Sequence, residues 1–302
     1  MTPPARIKRL SGRHALVDSI PFTLPVASRD SPALIAAFPV DFDRAAELLP
    51  GGEVHPVRLW GNRGLLVITV VDYRATNIGR YIEYSIAIAC THGARAAPPL
   101  IPGLPLLQRL FGTGQYVIDL PVSSEVSVKG GKGIWGMPKH QANLDFVIAP
   151  RTVSSQYDLD GHMCVRVEID RPRFERLPMS MGTCNYCAFR GLLMKSSIYF
   201  DAHIGLNVPF ARSARIEIGD HPRVAALRGL NIASRPVFSA YMPETRGILD
   251  DHFESWFLSY PEPPAVAPEG MESVVGLAQS QAWLTPPDDP ALHEADAIVA
   301  TP

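Results

Sequence analysis

Lysine is scarce in this chain of 302 residues: of its 28 lysines and arginines, five are lysine. Cysteine is scarce as well, at four, and these are scattered as Cys90, Cys164, Cys184 and Cys187. So few over this length do not form a disulfide framework. An excess of one charge is also missing. The net charge of −2 gives no electrostatic case for nucleic acid or for an anionic membrane. No apolar run approaches the ~18 residues of a membrane span. The basic start (Arg6, Lys8, Arg9, Arg13) is not followed by the apolar core of ~7–15 residues found in secretory signals. A cytoplasmic location is expected, with neither nucleic acid nor membrane as partner. Phosphate-cradling Gly-rich loops and metal triads are missing too, so no metal is expected. Cys184-x-x-Cys187 would be half a zinc site or a redox pair, but no second pair follows at zinc-finger spacing.

What is present is an ordinary globular composition, 46% hydrophobic and 19% charged, punctuated by 29 Pro and 23 Gly. Strand signals dominate. Val165, Val167 and Ile169 alternate with Arg166, Glu168 and Asp170 directly after the hairpin dipeptide Asp160-Gly161. Leu65 to Tyr73, Tyr81 to Cys90, Gln115 to Leu120 and Arg215 to Ile218 read likewise. Two short helices are predicted: Phe42 to Leu49 behind Asp41, and one opened by Pro222 that runs to about Leu227. The fold class is therefore mainly β (α+β), in antiparallel curved sheets with a few short helices. Residues 1–20 read as a polar lead-in and 21–260 as the folded domain. Residues 261–302 read as a Pro-rich tail in which Met271 to Leu284 would form a short amphipathic helix.

Three of the five lysines fall between Lys129 and Lys139, in Val-Lys-Gly-Gly-Lys-Gly-Ile-Trp-Gly-Met-Pro-Lys-His. Arginine stays protonated at any working pH, whereas a lysine amine can be neutralised and attack a carbonyl. A chain that uses arginine nearly everywhere keeps lysine where arginine will not serve. Lys139 follows Pro138 and the apolar Ile134, Trp135 and Met137. Read as a Gly-rich turn and extended chain, the segment puts Lys132 on the face opposite Lys139 unless Gly136 bulges. Upstream, alternation in Tyr81-Ile-Glu-Tyr-Ser-Ile-Ala-Ile-Ala-Cys90 separates two faces. Ile82, Tyr84, Ile86, Ile88 and Cys90 make one, which is bulky and apolar. Glu83 lies on the other among Tyr81, Ser85, Ala87 and Ala89, which suits the wall of a cavity.

The segment Gly131-Lys-Gly-Ile-Trp-Gly-Met-Pro-Lys-His140 resembles the acetoacetate decarboxylase signature, which runs Gly-Arg-Glu, four variable residues, then Pro-Lys-Lys. Tyr81 and Glu83 resemble the family's Tyr-x-Glu, in the expected order along the chain. Weaker similarity runs from about residue 20 to 260. The resemblance implies an antiparallel β-barrel-like architecture and a homo-oligomer. It implies a Schiff base between Lys139 and the carbonyl of a small keto acid, with Glu83 as catalytic acid/base. No cofactor is implied, because the lysine itself is the electron sink. The substrate-binding candidates are Tyr81, Trp135, Met137, His140, Tyr241 and Arg29. Trp135 and Met137 would wall the pocket. Tyr241 would donate a proton. Arg29 is the nearest match for the arginine that engages the substrate carboxylate.

The chain departs from the family pattern at Lys132, Gly133 and His140, where the family has Arg, Glu and Lys. It also lacks a second carboxylate near Ile68 and Thr69. These departures bear on decarboxylation rather than on Schiff-base formation. Aldol condensation and dehydration with a pyruvate-like acid therefore stand beside decarboxylation of a β-keto acid. A non-catalytic binding protein or scaffold that keeps the barrel is the alternative from another class.

Overall fold

A computed structural model of the chain describes residues 13–100 and 110–260. The expected tail, 261–302, with its helix from Met271 to Leu284, lies outside the described residues. In chain order the strands begin with β1 (Arg13–Val17), β2 (Ile20–Leu24), β3 (Val26–Arg29) and β4 (Ala33–Asp41). Helix α1 (Phe42–Ala46) leads to β5 (Val54–Pro56), β6 (Arg63–Tyr73), β7 (Ala75–Thr76), β8 (Tyr81–His92) and β9 (Gly114–Val122). Helix α2 (Glu125–Trp135) precedes β10 (Lys139–Gln141), β11 (Asn143–Leu144), β12 (Val147–Ile148), β13 (Thr152–Leu159) and β14 (His162–Asp170). Then come β15 (Leu177–Phe189), β16 (Leu192–Leu206), β17 (Ala214–Ile218), a 3-10 turn over Pro222–Val224, α3 (Ala225–Arg228) and β18 (Phe238–Phe257).

The main sheet runs β10-β9-β15-β16-β18-β4-β6-β8-β5, and β9 also pairs with β8. That second pairing closes seven strands into a ring, which removes their free edges. Most pairings in the ring are antiparallel, and β15 with β9 is parallel. A smaller sheet, β11-β13-β14-β17 with β12 on β13, lies against one side. The alternation of β8 shows the layering. Tyr84, Ile86 and Ile88 face outward and pack with Val153, Tyr157, Val165, Val167 and Ile169 of the smaller sheet. Ala87 faces the ring interior with Val117, Cys187 and Met194. Both faces of β8 are therefore buried, one against a second layer and one inside the ring.

The hairpin signal is realised: Asp160 and Gly161 both take positive φ, 53° and 80°, and Leu159 pairs with His162. Asp41 caps α1, its side chain accepting from the Arg44 N–H at 3.0 Å. Two expectations need correction. The lead-in over residues 1–20 contains β1, which turns at Asp18-Ser19 and pairs with β2 from Val17↔Ile20 to Arg13↔Leu24. Lys129 of α2 forms an ion pair with Asp18 and so ties that hairpin down. The Gly-rich segment is not extended chain: Glu125–Trp135 is the longest helix among the described residues. Three interior glycines argue against a helix, at about 1 kcal/mol each relative to Ala. Close packing overrides them, because a Cβ at Gly130 would strike Phe22 of β2 and one at Gly133 would strike Val17 of β1. The termini did carry signals. The Ser124 side chain accepts from the Ser127 N–H, and Gly136 stops the helix at φ 66°, its N–H bonded to the carbonyls of Gly131 and Lys132.

Candidate active site

Lys139 opens β10 and reaches the space between α2 and β8. Its amine donates to Glu83 Oε2 at 2.7 Å and to Ser127 Oγ at 2.9 Å. The whole residue is 4% exposed, and Ser127 is fully buried. The stem of Lys139 lies along α2 at Gly131, where any Cβ would overlap its methylenes. Ser127 and Gly131 are one turn apart, so one helix face supplies both the hydroxyl and the gap. Sequence reasoning missed Ser127. Its signal was that i, i+4 spacing to a glycine inside a capped helix.

Tyr81 completes the cluster. Its ring lies 5.4 Å from the Lys139 amine, and it stacks on Tyr73 at 4.7 Å. Burial, then the neighbouring Glu83 charge, pushes both phenols well above the usual tyrosine range. A hydrogen bond between Tyr81 and Ser127 works against that shift without cancelling it. Both phenols are therefore proton carriers at neutral pH. Tyr81, Ser127, Lys139 and Glu83 form one connected group in which a proton can pass from the amine to the Glu83 carboxylate.

The other candidates divide. Trp135 and Met137, 3% and 5% exposed, belong to the apolar cluster inside the ring, and the Trp135 indole N–H donates to the Asp250 carbonyl at 3.0 Å. His140 points the opposite way from Lys139, as neighbours on a strand must. Its Nε2 lies 2.9 Å from Asp119 Oδ1 and 3.4 Å from the Tyr157 hydroxyl. It does not line the surroundings of the amine. Tyr241 sits in the outer core with Leu34 and Val70, under the Arg171 guanidinium at 5.7 Å, rather than near Lys139. Arg29 ends β3 in register with Ala75. Gly133, where the resemblance leads one to look for Glu, packs on Val17 and not on Lys139.

Cys184 and Cys187 lie on β15, where residues three apart face opposite sides. The Cys184 thiol meets Ser197 Oγ at 3.7 Å, and the Cys187 thiol meets the Trp135 carbonyl at 3.6 Å. Burial pushes the Cys187 thiol up to about 12. All four cysteines are free thiols, and the described residues contain no group of three His, Cys, Asp or Glu placed to hold a metal. No helix among them is long and apolar enough to cross a membrane.

A family model described as acetoacetate decarboxylase matches residues 10–178. Solved structures share the fold at low identity. Acetoacetate decarboxylase from Legionella pneumophila is 14% identical over 75% of this chain and 85% of its own, with a TM-score of 0.52. The enduracididine biosynthesis enzyme MppR complexed with pyruvate is 14% identical over 76% of this chain and 90% of its own, at 0.56. An acetoacetate decarboxylase-like enzyme from Sphingomonas wittichii RW1 is 14% identical over 78% and 94%, at 0.52. No curated protein matches in sequence.

Proposed function

The chain belongs to the acetoacetate decarboxylase family, and on that premise we propose that it is a cofactor-free lyase that forms a Schiff base between Lys139 and the carbonyl of a small keto acid. The observation that carries this reading is the enclosed Lys139 amine held by Glu83 and Ser127 at 2.7 and 2.9 Å. A surface lysine needs neither the glycine notch nor a buried hydroxyl partner.

In the reading, the amine gives one proton to Glu83 and attacks the carbonyl carbon. The carbinolamine oxygen takes a proton from Glu83 or the Tyr81 hydroxyl and leaves as water. The iminium then draws electrons from the adjacent carbon. Loss of carbon dioxide from a β-keto acid gives an enamine, and loss of a proton from a pyruvate-like acid gives an enamine able to add to an aldehyde. Either enamine is protonated or condensed, and water returns the lysine. MppR has been solved with pyruvate and with the condensation product of pyruvate and imidazole 4-carboxaldehyde, which makes the second branch chemically reasonable on this fold. The departures at Gly133 and His140 both lie away from the Lys139 amine. This favours a working site over a decayed scaffold.

The test is intact mass after borohydride reduction with pyruvate and with acetoacetate, on wild type and Lys139→Ala. A Lys139-dependent adduct is expected, and the mass retained from acetoacetate separates loss of carbon dioxide from its retention. No adduct with either probe would favour the scaffold reading.

A further inference from the structure

Behind Lys139, on the outward face of the same strands, lies a second buried polar cluster. We infer that Asp119 and Arg223 are positioning residues for Lys139, acting through His140 and strand β10. This rests on the Schiff-base reading only for its catalytic consequence.

The need for such a tie comes from the strand. β10 has three residues at the end of the sheet path and, among the described residues, pairs only with β9, in parallel: Lys139↔Leu120, His140↔Pro121, Gln141↔Val122. A three-residue ladder supplies few backbone hydrogen bonds. The backbone alone is a weak anchor for a side chain that must reach Glu83 and Ser127 within hydrogen-bond distance.

Side chains supply the anchor. Asp119 precedes Leu120, the register partner of Lys139, and is 6% exposed. Its Oδ1 accepts from Arg223 Nε at 3.0 Å, from Arg223 Nη2 at 2.9 Å and from the Leu120 N–H at 3.1 Å, and it lies 2.9 Å from His140 Nε2. Arg223 comes from the 3-10 turn Pro222–Val224, whose Val224 is packed in the outer core. Tyr157 of β13 adds its hydroxyl 3.4 Å from His140 Nε2. The lysine strand is thereby joined to β9, to the 3-10 turn and to the smaller sheet.

The energetics point to geometry rather than bulk stability. A buried ion cluster contributes little over well-packed apolar residues of similar volume. Here Asp119 Oδ2 is also buried and accepts no hydrogen bond from the described residues. The specific gain is a fixed strand position, and a displacement of about 1 Å at a reacting group can cost on the order of 10²-fold in rate.

The experiment uses the full-length protein with Asp119→Asn, Arg223→Met and the conservative Arg223→Lys. Two quantities are read: borohydride trapping of pyruvate against concentration and time, and amide hydrogen exchange over residues 139–143. Expected for Asp119→Asn and Arg223→Met is a trapping rate at saturation lowered about tenfold or more. The half-saturating pyruvate concentration stays near that of wild type. Exchange accelerates over 139–143 but not over β4 and β6. Arg223→Lys recovers part of both. Should Asp119→Asn fail to fold, the two Arg223 variants carry the comparison. Wild-type exchange over 139–143 in a folded Arg223→Met, or acceleration spread evenly over the chain, overturns the inference. If wild type forms no adduct, the Schiff-base reading falls, and the exchange result alone decides whether the tie holds the strand.

Discussion

Two polar clusters stand back to back on β8, β9 and β10, and they are built differently. On the inner face one cation, Lys139, meets one carboxylate, Glu83, and a hydroxyl, Ser127. On the outer face one carboxylate, Asp119, gathers Arg223 and His140 onto a single oxygen. The inner set can exchange protons among an amine, a carboxylate and two hydroxyls, and its cation is the residue type that can act as a nucleophile. The outer set centres on a guanidinium that holds its proton at any working pH. The same strands thus carry a group suited to reaction on one side and a group suited to holding position on the other.

The largest expected effect separates the two faces outright. Lys139→Ala removes the carbonyl adduct entirely, read by intact mass after borohydride, whereas His140→Phe only slows its formation. Equal loss in both would break the distinction. Lys139→Ala also strands Glu83, so a loss of about 3–5 kcal/mol is expected in denaturant melts. Next in size, Glu83→Gln keeps the shape but not the proton acceptor. Trapping should slow about 10²-fold, the low end for removing a general acid/base group. An unchanged rate would transfer that role to Tyr81.

Two glycine substitutions sharpen the contrast within α2. Gly131→Ala and Gly133→Ala should each cost roughly 1–3 kcal/mol by overpacking. Only the first displaces Lys139, since the second strikes Val17. Trapping per folded molecule should fall for Gly131→Ala and hold for Gly133→Ala. The smallest effect concerns the thiols. Burial raises Cys187 to about 12 and also raises Cys164, which lies on the outer side beside Tyr157. At pH 8 both remain thiols, and thiolate appears only as pH climbs toward those raised values. Native alkylation at pH 8 should therefore reach half-buried Cys184 first, and Cys187 reacting first would mean that the ring interior is open.

How much of this could be read beforehand depended on the kind of signal. The alternation of Tyr81 to Cys90 separated Glu83 from Tyr84, Ile86 and Ile88, and the structure keeps that separation. The same rule places His140 opposite Lys139. Helix α2 was hidden because its glycines contradict helix propensity, and Ser127 was hidden with it. Tyr241, late in the chain, looked like a proton donor, yet nothing local tells which buried face receives it. Strand β1 was hidden in a polar lead-in because its hairpin is held by an ion pair to a distant helix.

The sequence by itself determined the strand character, the hairpin at Asp160-Gly161, the cap at Asp41 and the choice of Lys139 and Glu83. The first three rest on local rules of alternation, turn chemistry and capping, whereas Lys139 and Glu83 also needed the resemblance to a known family. The tertiary structure alone decided that the strands close into a ring and that a glycine-rich segment is a helix. It also decided that Lys139 has Ser127 in front of it and Asp119 behind. These depend on contacts between residues far apart in the chain, such as Lys139 with Glu83 and Arg223 with Asp119, and no local preference encodes such distances.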